Sequence, residues 1–295
     1  MLFCVVALVL AAPAEAAKSK KHAAKKPSGA NPRYAALVID ADTGTILHQS
    51  NADKSLHPAS LTKMMTLYMV FEALQRGDFT LRDRIVISKH AASAAPSKIG
   101  IPAGQSIRVE DAIYAVVTKS ANDMAAALGE KVGGSESRFA EMMTLRAHQI
   151  GMSKTKFRNA SGLHHPQQVT SARDMAKLAQ RILTDYPQYY HYFSTKNFTY
   201  RGVSYHNHNR LMDSYKGMDG FKTGYIGPSG FNLVASAVRK NHRLIGVVFG
   251  GRSAASRNAR MAELLDDGFA RYDEVMVASR DVPRPLRKPE QPMAV

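Results

Sequence analysis

Apolar residues follow a strand-like pattern near both ends of the chain and a helix-like pattern between them. Near the start, the runs 35–40 and 45–48 flank Ala41-Asp-Thr-Gly44, whose Asp and Gly are typical of a tight turn. Near the end, the runs 231–238 and 243–249 are separated by four polar residues. The pattern therefore predicts two β-hairpins, one from each end of the chain.

Five longer segments carry apolar residues at helical spacing, four of them between the hairpins and one after the second: 60–75, 110–128, 136–150, 171–184 and 256–272. Strands at both ends of a chain with helices between them favour one sheet built from both ends. We therefore predict an α+β fold. Its antiparallel sheet of about five strands is flanked by helices and carries an inserted, mainly helical lobe.

The first 16 residues predict a secretory signal peptide. The apolar run is too short to span a bilayer, and Ala14-Glu-Ala16 offers the small residues of a cleavage site. The positive residues that usually precede such a run are missing, so the true start of the protein stays open, as does a buried N-terminal strand. Cleavage would remove Cys4, the only cysteine of the sequence, as suits an oxidising periplasm.

Charge is spread unevenly along the 295 residues. The formal net charge is +16, and the segment 17–33 contributes six positive side chains: Lys18, Lys20, Lys21, Lys25, Lys26 and Arg33. We predict a disordered basic linker there, a compact domain at 34–275 and a Pro-rich tail at 276–295. A secreted chain without a nucleic-acid-binding motif predicts no nucleic-acid partner. An anionic wall polymer or membrane surface fits the basic arm better, and simple solubility better still.

Three short motifs follow one another along the predicted domain: Ser60-Leu-Thr-Lys63, Ser120-Ala-Asn122 and Lys222-Thr-Gly224. Each alone is a weak signal, since a second S-x-x-K begins at residue 153 and a second S-x-N at residue 256. The K-T-G triplet occurs once. In this order the motifs are the signature of penicillin-binding proteins and class A β-lactamases, in which a serine is the nucleophile.

Ser60 opens a segment that is apolar on nearly all sides, which predicts a central, buried helix. Lys63 lies one turn later on the same face, so its amine is expected beside the Ser60 hydroxyl. A serine needs a base to take its proton, and a lysine serves when burial or a neighbouring cation keeps it neutral. The alternative is an ordinary serine cap with a solvated lysine. An amine on an otherwise apolar helix argues against it.

The other two motifs are predicted to border the same cleft. Ser120 and Asn122 interrupt two helical stretches, where they relay a proton and bind a substrate amide, or simply cap the helices. Lys222 and Thr223 lie on a short strand before the final hairpin and suit a carboxylate, and Lys222 would help to keep the amine of the first motif neutral. Gly224 permits a close backbone approach, as an extended peptide substrate requires.

With these motifs, the chain resembles the D-alanyl-D-alanine carboxypeptidases, which are low-molecular-mass penicillin-binding proteins of the serine DD-peptidase group, peptidase family S11. The resemblance covers roughly residues 34–272 and includes five further segments: Ala160–Leu163, Thr170–Ala176, Asp219–Tyr225, Gly230–Ala235 and Gly250–Arg252. It implies the fold shared by β-lactamases and DD-peptidases, and the compact region 34–275 as the catalytic domain.

The resemblance also implies a role for each motif residue. The catalytic residues would be Ser60 as acylated nucleophile, Lys63 as general base, and Ser120 and Asn122 on the opposite wall of the cleft. The substrate-binding residues would be Lys222, Thr223, Gly224, Tyr225 and, from the last helix, Arg257. The backbone amides of Ser60 and Tyr225 would form the oxyanion hole.

The implied reaction removes the terminal D-alanine from a peptidoglycan stem peptide through an acyl-enzyme, which water then hydrolyses. Penicillins and other β-lactams would acylate the same serine and leave slowly. The implied location is the periplasm or cell envelope, and no cofactor or metal is expected. His164-His165 and His206-x-His208 are interpreted as solvated loop histidines, because no H-E-x-x-H motif accompanies them.

Three alternatives stay open. Many relatives carry a β-rich second domain and an amphipathic anchor, whereas about twenty Pro-rich residues follow here, and Ile226 stands where Thr is common. This short build also resembles DD-endopeptidases, which cut peptidoglycan crosslinks. A class A β-lactamase needs a carboxylate for deacylation, but Glu130, Glu136 and Glu141 lack the required E-x-x-x-N context. A non-catalytic wall-binding protein would not need the complete set of catalytic residues.

Overall fold

The computed structural model describes residues 31–280, with side chains up to residue 272. The predicted signal peptide at 1–16, most of the basic linker at 17–33 and residues 281–295 of the predicted tail lie outside the described residues.

The described residues contain nine strands: β1 (Ala35–Asp40), β2 (Ile46–Ser50), β3 (Arg84–Val86), β4 (Ser106–Arg108), β5 (Asn197–Tyr200), β6 (Val203–His206), β7 (Met218–Ile226), β8 (Gly230–Arg239) and β9 (His242–Gly251). They also contain eight α-helices: α1 (Thr62–Arg76), α2 (Lys89–Ser93), α3 (Val109–Thr118), α4 (Asn122–Gly133), α5 (Glu136–Gln149), α6 (Ala172–Asp185), α7 (Leu211–Ser214) and α8 (Ala254–Arg280). Two 3₁₀ helices complete the set, at Ala59–Leu61 and Pro187–Ser194.

Five strands form one antiparallel sheet in the order β2-β1-β9-β8-β7. The two ends of the chain meet where β1 pairs with β9, with Leu37 opposite Val247. The first hairpin turn is held by Asp40, whose Oδ1 accepts the backbone N–H of Thr43 at 2.7 Å. The prediction of an α+β fold, with about five strands drawn from both chain ends, is confirmed. In this strand order, β7 lies at one edge of the sheet.

Helices cover both faces of this sheet. Successive side chains of β1 point to opposite faces, so the strand contributes apolar residues to a core on each side. Leu37 and Ile39 pack into the larger core with α1, α3, α4 and α6. Ala36 and Val38 pack into a second core against α8. As predicted, α1 is buried on nearly all sides, so the helix that follows Ser60 runs through the centre of the molecule.

The inserted lobe consists of α2 to α5 with the small β3–β4 sheet. The segment 110–128, predicted as continuous apart from the Ser120 motif, is two helices, α3 and α4, with a turn at 119–121. The last helix, expected to end at residue 272, continues as α8 to Arg280 and so includes the first residues of the predicted tail. No helix among the described residues is long and apolar enough to cross a membrane.

Candidate active site

Ser60 lies in the single-turn 3₁₀ helix that leads directly into α1. The turn begins at Ala59, whose φ of +49° is left-handed, and this places Ser60 between the sheet and the helical lobe. Lys63 follows within the first turn of α1 and is completely buried. The predicted nucleophile and base therefore share one rigid element.

The amine of Lys63 is surrounded by oxygen atoms. Its Nζ lies 3.0 Å from Oγ of Ser60, and it donates to Oδ1 of Asn122 at 2.6 Å and to the carbonyl oxygen of Ser161 at 2.5 Å. Burial, and next the positive charge of Lys222, lower the pKa of Lys63 well below its usual value. The neutral amine that a base requires is thus favoured by the fold.

Asn122 and Ser120 come from the turn between α3 and α4. The side chain of Asn122 is oriented by its Nδ2, which donates to the carbonyl of Ala95 at 2.8 Å, so that Oδ1 faces Lys63. Ser120 adopts a left-handed φ of +59°. Its Oγ is buried and has no hydrogen-bond partner within residues 31–280. This hydroxyl is available to a bound molecule.

The edge strand β7 carries the third motif. Lys222 is buried, and its Nζ donates to the carbonyl oxygen of Thr223 at 3.1 Å. Arg257, on α8, is also buried and donates from Nη1 to the carbonyl of Asn232 at 2.8 Å. Burial lowers the pKa of Arg257 to about 10. Burial and the Arg257 charge lower the pKa of Lys222 to about 7, so the two cations form a site that favours an anion.

Two glycines let other segments approach Ser60 closely. A Cβ atom on Gly224 would lie 3.1 Å from the backbone nitrogen of Ser60. Gly162 has a left-handed φ of +84°, and a Cβ there would overlap the carbonyl of Ala59. Both strand β7 and the 159–163 loop thus pack directly on the 3₁₀ turn.

These elements border a cavity of about 380 Å³ that opens to solvent. Seven of the nine predicted site residues line it: Ser60, Ser120, Asn122, Thr223, Gly224, Tyr225 and Arg257. Lys63 and Lys222 lie buried behind this lining. The remaining lining residues are Pro96, Ser97, Gly162, Leu163, His208, Ile226, Phe231 and Ala254, so no carboxylate of the described side chains borders the cavity. The structure brings all nine predicted residues to one place.

Comparison with known proteins agrees with this geometry. The family model described as D-alanyl-D-alanine carboxypeptidase matches residues 20–253. The chain belongs to this family. It is 34% identical over 274 residues to the D-alanyl-D-alanine carboxypeptidase DacF of Bacillus subtilis (strain 168), covering 91% of this chain and 70% of DacF. It is 35% identical over 246 residues to DacA of Escherichia coli (strain K12), covering 81% of this chain and 61% of DacA.

A solved structure of the carboxypeptidase fold is similar over most of the chain. Penicillin-binding protein D2 from Listeria monocytogenes, in its cefotaxime-bound form, gives a TM-score of 0.74 at 29% identity. The match covers 83% of this chain and 100% of that one. By contrast, this chain spans 61% of the length of DacA.

Several functional positions of this carboxypeptidase family member were not predicted from the motifs. The carbonyl of Ser161 bonds to Lys63, and Pro96 and Ser97 border the cavity from the loop between α2 and β4. The Ala160–Leu163 segment was noted as part of the family resemblance, but a backbone acceptor has no signature in side-chain identity. The loop at 94–100 has no motif at all.

His208 lies in a loop and is exposed, as predicted, but it also lines the cavity. Partial desolvation of its ring there, followed by the positive charges of Lys222 and Lys119, lowers its pKa to about 4. His206 instead pairs with Asp213 at 3.0 Å. Among the described residues, no group of three or more His, Cys, Asp or Glu side chains is arranged to hold a metal ion.

The glutamates considered for a β-lactamase lie away from the lining of the carboxypeptidase cavity. Glu136 accepts the backbone N–H of Ala160 at 2.9 Å, and Glu130 accepts the hydroxyl of Ser88 at 2.9 Å. Glu141 is exposed on α5. None of the three is placed to activate a water molecule at Ser60.

Proposed function

We propose that this chain is a serine-type D-Ala-D-Ala carboxypeptidase that removes the terminal D-alanine from peptidoglycan stem peptides through an acyl-enzyme on Ser60. One observation carries the proposal. The Ser60 hydroxyl borders the cavity beside the buried Lys63 amine of lowered pKa, and Arg257 borders the same cavity with Lys222 buried behind its lining. Family membership supports the same activity.

The position of the cations explains why a carboxyl terminus would be chosen. Lys222 and Arg257 are buried and lack an acidic partner in the described lining of the cavity. A peptide carboxylate would supply that partner, and Thr223 would add a hydroxyl. Because β7 is an edge strand, the substrate backbone can lie along it as an added strand. The scissile amide, one residue before the carboxylate, would then face Ser60.

Acylation would begin when the Ser60 hydroxyl proton passes to the neutral amine of Lys63 as Oγ bonds to the carbonyl carbon. The π electrons of the carbonyl move to oxygen, where the amides of Ser60 and Tyr225 stabilise the charge. The electron pair on the oxyanion then re-forms the carbonyl as the carbon–nitrogen bond breaks. Ser120 would donate a proton to the leaving nitrogen and regain one from Lys63, and D-alanine leaves with an uncharged amine.

Deacylation would use the same base, now to activate a water molecule. Lys63, neutral again, takes a proton from a water molecule whose oxygen bonds to the acyl carbon, and the Ser60 oxygen leaves with a proton. Within the part of the chain that the structure describes, no carboxylate lines the cavity to speed this step for a β-lactam adduct. We therefore propose that β-lactams acylate Ser60 and persist. The cefotaxime-bound Listeria protein supports a β-lactam as a ligand of this fold.

We further propose that the enzyme acts in the cell envelope, after export to the periplasm by the segment 1–16. The basic arm at 17–33 would contact an anionic wall polymer or membrane surface. Cell fractionation of a tagged full chain tests the location. Loss of envelope retention when the five lysines of the arm become glutamine tests the contact.

The decisive experiment is incubation of the purified protein with a disaccharide pentapeptide, followed by mass spectrometry. Loss of one D-alanine is expected, and it should disappear in Ser60→Ala. Ser153→Ala, in the second S-x-x-K segment, is the matched control and should keep full activity because Ser153 is exposed on another loop. A crosslinked dimer is run alongside. Cleavage of the dimer without loss of D-alanine from the monomer would show an endopeptidase instead.

A further inference from the structure

The three oxygen neighbours of Lys63 differ in what they can do. A neutral amine has two N–H hydrogens and one lone pair. The carbonyl of Ser161 and the amide oxygen of Asn122 can only accept, so they take both hydrogens. The lone pair then points to the third neighbour, the hydroxyl of Ser60 at 3.0 Å. The position of the Ser161 carbonyl thus sets the direction in which the base works.

The Ser161 carbonyl lies in a short loop, and Asn159 holds the shape of that loop. Oδ1 of Asn159 accepts the backbone N–H of Gly162 at 2.7 Å and the hydroxyl of Ser161 at 3.3 Å. Its Nδ2 donates to the carbonyl oxygen of Leu163 at 2.9 Å. One side chain therefore bridges both sides of the peptide unit that carries the acceptor.

A second amide side chain, buried beneath the loop, extends this bridge. Gln168 accepts the backbone N–H groups of Arg158 and Asn159 at 2.9 and 3.2 Å through Oε1. Its Nε2 donates to the carbonyl of Leu163 at 3.1 Å and to Oδ1 of Asn159 at 3.3 Å. Its exposed fraction is only 2%. The amide oxygen and the amide nitrogen of both side chains form hydrogen bonds within the loop, and neither side chain lines the cavity.

We propose that Asn159 and Gln168 are positioning residues that fix the Ser161 carbonyl and thereby aim the lone pair of Lys63 at the Ser60 hydroxyl. The inference rests on the proposed function, since it concerns the same acylation step. Supporting groups of this kind matter because a catalytic group must be held within a fraction of an ångström of its working geometry.

The test measures acylation by a fluorescent penicillin at saturating concentration, as a function of pH. Asn159→Ala should lower the plateau rate at least tenfold. The ascending limb of the profile should stay in place or move to lower pH, because losing an acceptor destabilises the charged amine. Gln168→Met should show the same pattern. Asn159→Asp keeps the acceptor for the N–H of Gly162 and should recover most of the rate.

The matched control is Gln167→Ala, whose exposed side chain contacts Arg158 next to the same loop. It should acylate at the wild-type rate. Melting temperatures of all variants are measured in parallel. A merely structural role would admit water to the amine, raise its pKa and move the limb to higher pH while the plateau recovers. That result, or unchanged acylation in Asn159→Ala and Gln168→Met, overturns the proposal. Absence of labelling in the wild-type protein would instead refute the proposed function.

Discussion

Gly224 lies so close to Ser60 that a Cβ atom at position 224 would be 3.1 Å from the backbone nitrogen of Ser60. The same atom would lie 3.0 Å from the carbonyl oxygen of Pro58. Both neighbours are backbone atoms, which cannot rotate away as a side chain can. Strand β7, which carries Lys222 and Thr223, and the turn that carries Ser60 therefore set each other's position.

The first prediction is that Gly224→Ala slows acylation by a fluorescent penicillin about tenfold, because β7 and the 3₁₀ turn must separate by a few tenths of an ångström. The matched control is Gly227→Ala. A Cβ at that position meets nothing within 4 Å, so labelling should proceed at the wild-type rate. Equal rates for the two variants would show that this close approach does not matter for the reaction.

A comparison of Gly162 with Gly202 separates the cost of a left-handed backbone from the cost of a steric overlap. Gly162 and Gly202 have similar left-handed φ angles, +84° and +79°. A Cβ on Gly202 meets nothing within 4 Å, whereas one on Gly162 overlaps the Ala59 carbonyl. Gly202→Ala should therefore lower the free energy of unfolding by roughly 1 kcal/mol, the cost of the left-handed conformation.

Gly162→Ala should lower the free energy of unfolding by about 2 kcal/mol more than Gly202→Ala does, because overpacking adds to the same backbone strain. Denaturant unfolding of both variants measures the difference. Similar stabilities would mean that the 159–163 loop shifts freely, which would also weaken the argument for a fixed Ser161 carbonyl.

The sequence predicted the sheet and the central helix well, because both depend on hydrophobic periodicity. The apolar run of β1 is buried on both faces of the sheet, in two cores, and the apolar segment after Ser60 is the buried helix α1. The short β3–β4 and β5–β6 pairs were missed. Three- and four-residue strands such as Arg84–Val86 and Val203–His206 are too short to show a period, and they form only when their partners are brought together.

For the site, side chains with a chemical signature were predictable and their supports were not. The residues of the three motifs meet at one cavity, and a spacing of three on a helix brings Lys63 beside Ser60. The Ser161 carbonyl is a backbone atom, and every residue has one. His208 gave no signal, since its position depends on how the loop before α7 folds against the cavity.

The charge of Lys222 predicts a change in the pH profile. Burial, and next the nearby Lys222 charge, lower the pKa of Lys63. Removing that charge in Lys222→Met should raise the pKa of Lys63. Because the base acts when it is neutral, the ascending limb of the acylation profile should move to higher pH. Lys89→Met, on the exposed α2, is the control and should leave the limb in place. A limb that stays fixed in Lys222→Met would contradict the coupling.

Binding of a carboxylate should also depend on pH, because Lys222 itself titrates. Burial and the charge of Arg257 lower the pKa of Lys222 to about 7. In the empty site Lys222 loses its charge as the pH rises through that value, so affinity for a carboxylate should fall above about pH 7. Arg257→Gln should weaken binding overall but move this loss to higher pH, because the Lys222 pKa rises when the neighbouring charge is removed.

Calorimetry with a D-Ala-D-Ala peptide measures this binding. Ser60→Ala protein is used as the background, so that no acylation intervenes. An affinity that does not change between pH 6 and pH 9 would show that Lys222 does not hold the carboxylate alone, or that its pKa lies elsewhere.

The last prediction concerns Asp123, a fully buried carboxylate that follows Asn122 on α4. Its oxygens accept the backbone N–H groups of Ile99 at 3.3 Å, Gly100 at 2.8 Å and Met124 at 2.9 Å. Asp123 therefore ties the 94–100 loop to the start of α4. The same loop supplies the carbonyl groups that bind the side-chain and backbone nitrogens of Asn122.

Asp123→Ala leaves the backbone N–H groups of Ile99, Gly100 and Met124 without their side-chain acceptor, and only that of Met124 is fully buried, so the free energy of unfolding should fall by about 2 kcal/mol. Acylation should slow more than stability alone explains, because Asn122 loses the loop that orients its Oδ1 toward Lys63. Asp123→Asn keeps one oxygen acceptor and should be intermediate in both respects. Asp111→Ala, which removes a part-exposed ion pair with Arg108 at the start of α3, should leave the acylation rate unchanged. Acylation at the wild-type rate in folded Asp123→Ala would mean that Asn122 is held by α4 and not by the loop.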